Sequence, residues 1–127
     1  MAQIFKHYSE YRGAWPWKNF KPYEIACKHC GEIYIDPASM DALQTLREAW
    51  GKPIIINSGH RCPAHNKAVG GAANSQHLKI AFDCLCLREQ QAAFLQAAVA
   101  AGFSGRGRYP SRGFVHLDMG PRREWLG

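Results

Sequence analysis

At 127 residues, with 46% apolar and 20% charged positions, the chain has room for one buried core and not for two, so disordered and multidomain organisations are excluded. A formal charge of +6, from 16 Lys and Arg against 10 Asp and Glu, favours polyanionic partners: nucleic acid, acidic lipid or an anionic wall polymer. The opening MAQIFKHYSEYRGAWPWKNF lacks the apolar core of a signal peptide and no stretch approaches membrane-spanning length, so synthesis in the cytoplasm without stable membrane insertion is expected.

Residues 1–22 set Trp15, Trp17 and Phe20 among Lys and Pro, and read as an irregular aromatic arm packed on a single domain formed by 23–127. A turn of helix is expected over 23–27, ahead of Cys27-Lys28-His29-Cys30. A CxxC pair marks a structural zinc knuckle or a redox motif. Closing a tetrahedral site would take Cys62, His65, His29 or His7. With one knuckle and five cysteines in all, a packed pair of thiols or one optional disulfide is the expected state.

Asp36 at the N-cap, Pro37 at the first helical position and apolar Met40, Leu43, Leu46 and Trp50 at helical spacing predict a helix ending at Gly51. The β-branched run 53–57 predicts a buried strand, and 58–77 a Gly- and Asn-rich loop with one helical turn. A second strand is expected over 80–87, with Cys84 and Cys86 on the side opposite Asp83, where they fill core. The Ala-rich segment 88–101, closed by Gly102, predicts a second helix. RGRYPSRG reads as a basic turn, and 114–119 as the last strand, with Phe114, His116 and Asp118 on one face. This order predicts an α+β fold: a small, mainly antiparallel sheet with helices packed on one side.

Three residues on or beside these strands, His77, Asp83 and His116, form a set suited to a catalytic zinc, which takes three His and carboxylate ligands and keeps one position open for water. Each could also be an ordinary hydrogen-bonded residue. Asp83 tilts the balance, because a carboxylate inside an apolar strand is costly unless it is paired or bound to a cation. Arg106, Arg108, Arg112, Arg122 and Arg123 read as solvated surface; with no DNA or RNA motif beside them, no nucleic-acid partner is expected.

SGHRCPAHNKAVGGAANSQHLKIAFD, followed at a distance by GFVHLD, resembles the zinc peptidases of the M15 family, the D-Ala-D-Ala carboxypeptidase and peptidoglycan endopeptidase group, whose fold is shared with the hedgehog signalling domain. The likeness runs from about Phe20 to Gly120, since ACKHCGEIYIDPASMDALQTLREAWGKPIIINSG also resembles the short phage and prophage members. The resemblance implies one catalytic Zn2+ on His77, Asp83 and His116, with Arg61 binding a substrate carboxylate or carbonyl and Ser58, Ser75 and Gln76 completing the substrate site. It also implies a monomer cutting D-amino-acid-containing peptides of peptidoglycan, as a carboxypeptidase or endopeptidase. The enzyme would reach the cell wall as a phage or prophage lysis enzyme (an endolysin) after release, or as part of a phage particle.

Two positions depart from the family pattern. The step from histidine to aspartate in HLKIAFD is six residues with no Gly, one shorter than usual, which opens the alternative of a non-catalytic wall-binding or phage structural module with an impaired metal site. Gly113 stands where several branches carry an acidic base, so the proton carrier is expected elsewhere, with Asp118 first and His60 second. Asp118 reads equally as the partner that holds an imidazole.

Overall fold

The structure, a computed structural model, describes residues 2–127. The N-terminal segment is more regular than the arm expected for 1–22. Gln3–Phe5 (β1) pairs antiparallel with Ile33–Ile35 (β2), because Ile33 and Ile35 turn into the core and leave a short strand edge for the chain start to cover. Trp17 and Phe20 are buried against the body, and one helical turn, Pro22–Ile25 (α1), leads into the cysteine pair.

The longest helix, Pro37–Trp50 (α2), begins with Asp36 at its N-cap and stops at Gly51, whose left-handed φ of 71° disfavours other residues. Asp36 receives the Ser39 hydroxyl at 2.6 Å rather than a cap N–H. Met40, Leu43 and Leu46 lie fully buried along one face, each contributing about 1.5–3 kcal/mol.

The first central strand is Ile56–Ser58 (β3), shifted from the 53–57 expected. The apolar run alternates, with Ile54 and Ile56 buried and Ile55 exposed, and an irregularity between Ile56 and Ser58 sets Ser58 opposite Asp83. The loop that follows contains Pro63–Ala68 (α3) and a 3₁₀ turn at Gln76–Leu78. Phe82–Leu85 (β4) occupies the centre of the expected 80–87 strand, and Gln91–Ala101 (α4) is entered through a 3₁₀ turn at Arg88–Gln90.

The basic segment expected as a turn, residues 106–113, is strand in its first half and turn only over 110–113. Gly105–Tyr109 (β5) precedes Phe114–Asp118 (β6) and Arg123–Leu126 (β7). Alternating Gly and Arg have low strand propensity and no apolar period, so pairing rather than sequence makes this a strand. The five-stranded sheet runs β3-β4-β6-β5-β7, antiparallel except for the β5–β7 edge. Its fold is α+β and mainly antiparallel, as expected.

One sheet face carries Phe82 and Cys84 of β4 and Val115 and Leu117 of β6, all fully buried with Phe94, Ala98 and Phe103. Here α4 packs on β6, and α2 packs on α4. The opposite face carries Asp83, His116, Asp118, Gly105, Gly107 and Trp125, and holds no such apolar layer. Among the described residues no helix is long and apolar enough to cross a membrane.

Candidate metal centre and groove

Strand register places two of the three expected ligands side by side. Asp83 of β4 lies directly opposite His116 of β6, with Asp83 Oδ1 3.0 Å from His116 Nδ1. The third arrives from the 3₁₀ turn at Gln76–Leu78, where the Ser75 hydroxyl oxygen caps the turn by accepting the His77 N–H at 3.1 Å. His77 Nε2 then sits 3.2 Å from the same Asp83 oxygen. One donor atom from each of His77, Asp83 and His116 falls within 4.8 Å of the others. The six-residue step of HLKIAFD therefore still returns the carboxylate to the histidine.

The remaining ring atoms fix the tautomers. His77 Nδ1 lies 2.6 Å from the Gly59 carbonyl, so it carries the hydrogen and leaves Nε2 as a bare lone pair. That Nε2 is buried and has no hydrogen-bond partner. Its 3.2 Å contact with Asp83 Oδ1 brings two acceptors face to face, an arrangement that calls for a cation between them. His116 Nε2 donates to Asp118 Oδ2 at 2.6 Å, which turns Nδ1 toward the same point. His77 Nε2, His116 Nδ1 once its proton is displaced, and the Asp83 carboxylate, with the His77 and Asp83 side chains 3% and 15% exposed, form the nitrogen and oxygen donor set that suits Zn2+.

Charge follows from this geometry. Burial alone would push the Asp83 carboxyl up, but the two histidines beside it, with His116 hydrogen-bonded to its Oδ1, hold it well below the usual carboxylate range. Burial would pull His116 down, but its bonds to Asp118 and Asp83, with their negative charges, outweigh that and raise its pKa.

Behind the histidine, Asp118 is 1% exposed and saturated with donors. It accepts His116 Nε2–H, the Gly120 N–H at 2.9 Å, and both arms of the Arg123 guanidinium at 2.9 and 2.7 Å. Burial works against its charge, yet these bonds hold its carboxyl well below the usual range. Two glycines of β5 make the reach from β7 possible. Gly105 stands in register between Asp118 and Arg123, and Gly107 between His116 and Trp125. A Cβ on Gly105 would collide with the Asp118 carboxylate and the Arg123 guanidinium, and one on Gly107 with the Trp125 ring. Through the second gap Trp125 comes within 5.1 Å of the His116 ring centre while donating to the Tyr109 hydroxyl at 2.8 Å.

A cavity of about 920 Å³ opens on this centre. Ser58, Arg61, Ser75 and Gln76, expected to contact substrate, all line it together with His77, Asp83 and His116. Arg61 is steadied by one bond, Nη1 to Asn66 Oδ1 at 2.9 Å. Asp118 stays behind His116 and outside the lining. His60, expected as second choice for moving protons, does not join the site: it is 1% exposed, with one ring nitrogen on the Lys79 carbonyl and the other 2.7 Å from Glu32 Oε1. Tyr109, Arg123 and Trp125, not expected from sequence, also line the cavity. The only signal available was the small-residue alternation of Gly105 and Gly107 followed by an aromatic tail.

A family model described as Peptidase M15 matches residues 18–118. The chain is 34% identical over 99 residues to the peptidoglycan L,D-endopeptidase MepK of Escherichia coli strain K12, and to that of Shigella flexneri, over 72% of this chain and 54% of each relative. It thus spans about half the length of the curated relatives it matches. The candidate ligands lie inside the matched segment; β7, with Arg123 and Trp125, lies beyond it.

Proposed function

Since the chain belongs to the peptidase M15 family, we propose that it is a zinc-dependent peptidase that hydrolyses peptide bonds in bacterial peptidoglycan, with one ion held by His77, Asp83 and His116. The observation that carries this reading is the buried, unpartnered Nε2 of His77 facing an Asp83 oxygen. Zinc in such a set makes hydroxide available near neutral pH and polarises a carbonyl.

The protein's own groups supply the rest. The Gly59 carbonyl holds His77 in its ligating tautomer, and Asp118 does the same for His116. With every Asp118 lone-pair direction taken by a donor, Asp118 acts as this positioning residue rather than as the base. Arg61 spends one N–H on Asn66 and offers the rest of its fork to a substrate carboxylate or carbonyl. Lys28 and Arg112 add positive charge to the lining, which suits the carboxylates of wall stem peptides. Ser58, Ser75 and Gln76 present hydrogen-bonding groups to the peptide, and Tyr109 and Trp125 an aromatic wall. The named activity of the MepK relatives favours an endopeptidase over a carboxypeptidase. The likeness to short phage and prophage proteins favours action on the wall after release from the cell or from a phage particle.

Digestion of purified peptidoglycan with identification of the products by mass tests the reading. Muropeptides cleaved at a peptide bond should be released, lost with a chelator, and restored by zinc. Zinc-loaded, folded protein that releases nothing refutes it.

A further inference from the structure

Cys27 and Cys30, expected as a packed pair of thiols or an optional disulfide, are joined by a third cysteine. Cys27, Cys30 and Cys62 are all free thiols, and their sulfurs converge within 4.8 Å of one another. Four tetrahedral ligands at thiolate and imidazole distances from zinc stand about 3.8 Å apart sulfur to sulfur and about 3.6 Å sulfur to nitrogen. His29 Nδ1 lies 3.8 Å from Cys62 Sγ, close to that edge. Its ring stacks on His65 at 5.6 Å with the planes 3° apart, which steadies it beside the sulfurs.

The backbone is shaped for thiolates. The Cys62 N–H points at Cys27 Sγ at 3.5 Å, and the His65 N–H at Cys62 Sγ at 3.4 Å. Gly31, directly after the second cysteine, takes a left-handed φ of 82° and closes the knuckle with its N–H on the Cys27 carbonyl at 2.9 Å. A CxxCG turn and a distant third cysteine are thus folded to one point, with a histidine beside it.

We propose that Cys27, Cys30 and Cys62, completed by His29, bind a second zinc ion, structural rather than catalytic. Binding releases the thiol protons to solvent and forms three Zn–S bonds and one Zn–N bond, with no redox change. The site does not depend on the peptidase reading. Its location gives it a task, because the strap from Gly59 to Cys62 lies between the two centres. On one side Cys62 N–H meets Cys27 Sγ and His60 N–H meets the Ile25 carbonyl; on the other, Gly59 O receives His77 Nδ1–H and Arg61 N–H donates to the His77 carbonyl. A metal clip on Cys62 would fix the strap that holds both His77 and Arg61.

Cobalt titration of the reduced His77→Ala chain tests the proposal with the first centre disabled. One equivalent should bind with ultraviolet thiolate-to-cobalt charge-transfer absorption, and zinc should bleach it. Cys30→Ser, chosen because Cys30 is exposed and its replacement leaves the core intact, should weaken binding at least about tenfold while circular dichroism stays native. Absence of the thiolate band, unchanged affinity in folded Cys30→Ser, or a Cys27–Cys62 disulfide in the protein as isolated would each overturn it. Failure of the peptidase reading would show separately, as wild-type protein that binds this thiolate-ligated equivalent alone.

Discussion

Asp83 and His116 face each other across the β4–β6 ladder, 3.0 Å apart between Oδ1 and Nδ1, so the register of two strands assembles two of the three ligands of the candidate metal centre. The neighbouring pairs, Phe82 with Leu117 and Cys84 with Val115, point the other way and form core. A one-residue slip would bury the ligands and expose the core, so packing of the helices specifies the chemistry on the opposite face.

Asp83→Asn keeps the shape of that side chain and removes its charge. Tightly held zinc at this centre should fall at least about a hundredfold in affinity, with a comparable loss of wall hydrolysis and a native circular dichroism spectrum. Zinc analysis after dialysis, with the equivalent held by the thiolate centre counted separately, gives the result. Retention of both metal and activity would remove Asp83 from the site.

Arg123→Gln breaks the fork on Asp118. A charged hydrogen-bonded pair of this kind is worth about 1.5–3 kcal/mol when buried, and the third of Arg123 that is exposed reduces this to about 1–2 kcal/mol. Because Arg123 acts through Asp118 on His116, kcat should fall more than KM changes. A variant that is destabilised but has wild-type kcat would leave Arg123 a merely structural role.

Gly107→Ala places a methyl group against the Trp125 ring, and should cost about 1–3 kcal/mol and push the indole off His116. Trp125→Ala removes the obstacle. The double variant should therefore be no less stable than Trp125→Ala alone, a non-additivity that denaturant unfolding measures. Simple addition of the two losses would mean that the glycine makes room for something else.

How far these features could be read from sequence depended on what kind of signal carried them. Pro37, Gly51 and the spacing of Met40, Leu43 and Leu46 declared α2, because caps and apolar period are local. The alternation around Asp83 and along Phe114–Asp118 likewise placed the ligands on one face. β5 and β7 were not legible. Gly105-Arg106-Gly107-Arg108 has no apolar side of its own, Arg108 turning toward Gln91, and its strand exists only through pairing with β6. Arg123 and Trp125 entered the site by crossing two glycines, a relation visible only once the register is known. His60 looked chemical in the motif, yet Glu32, distant in sequence, claims its ring.

In the metal-free protein the raised pKa of His116 sets a pH dependence. Its favourable pairing with Asp118 and Asp83 is fully present below about pH 6.5 and is lost as pH rises through the raised value. Zinc must displace the Nδ1 proton, so zinc affinity should climb over the same interval and level off above it. Competition with a chromophoric chelator, followed upward from about pH 6.5 on the Cys30→Ser chain so that the thiolate centre competes less, measures the slope. A flat profile would show that His116 carries no such proton. The depressed Asp83 and Asp118 act in the opposite sense, stabilising above about pH 4 and failing as acid protonates them.

The convergence of His77, Asp83 and His116 on one cation is tested most directly by anomalous scattering from crystals of the zinc-loaded protein at the zinc absorption edge. The account predicts a peak about 2.0–2.2 Å from His77 Nε2, an Asp83 carboxylate oxygen and His116 Nδ1. No peak there, with the Asp83 carboxylate still lying directly against both rings, would contradict it.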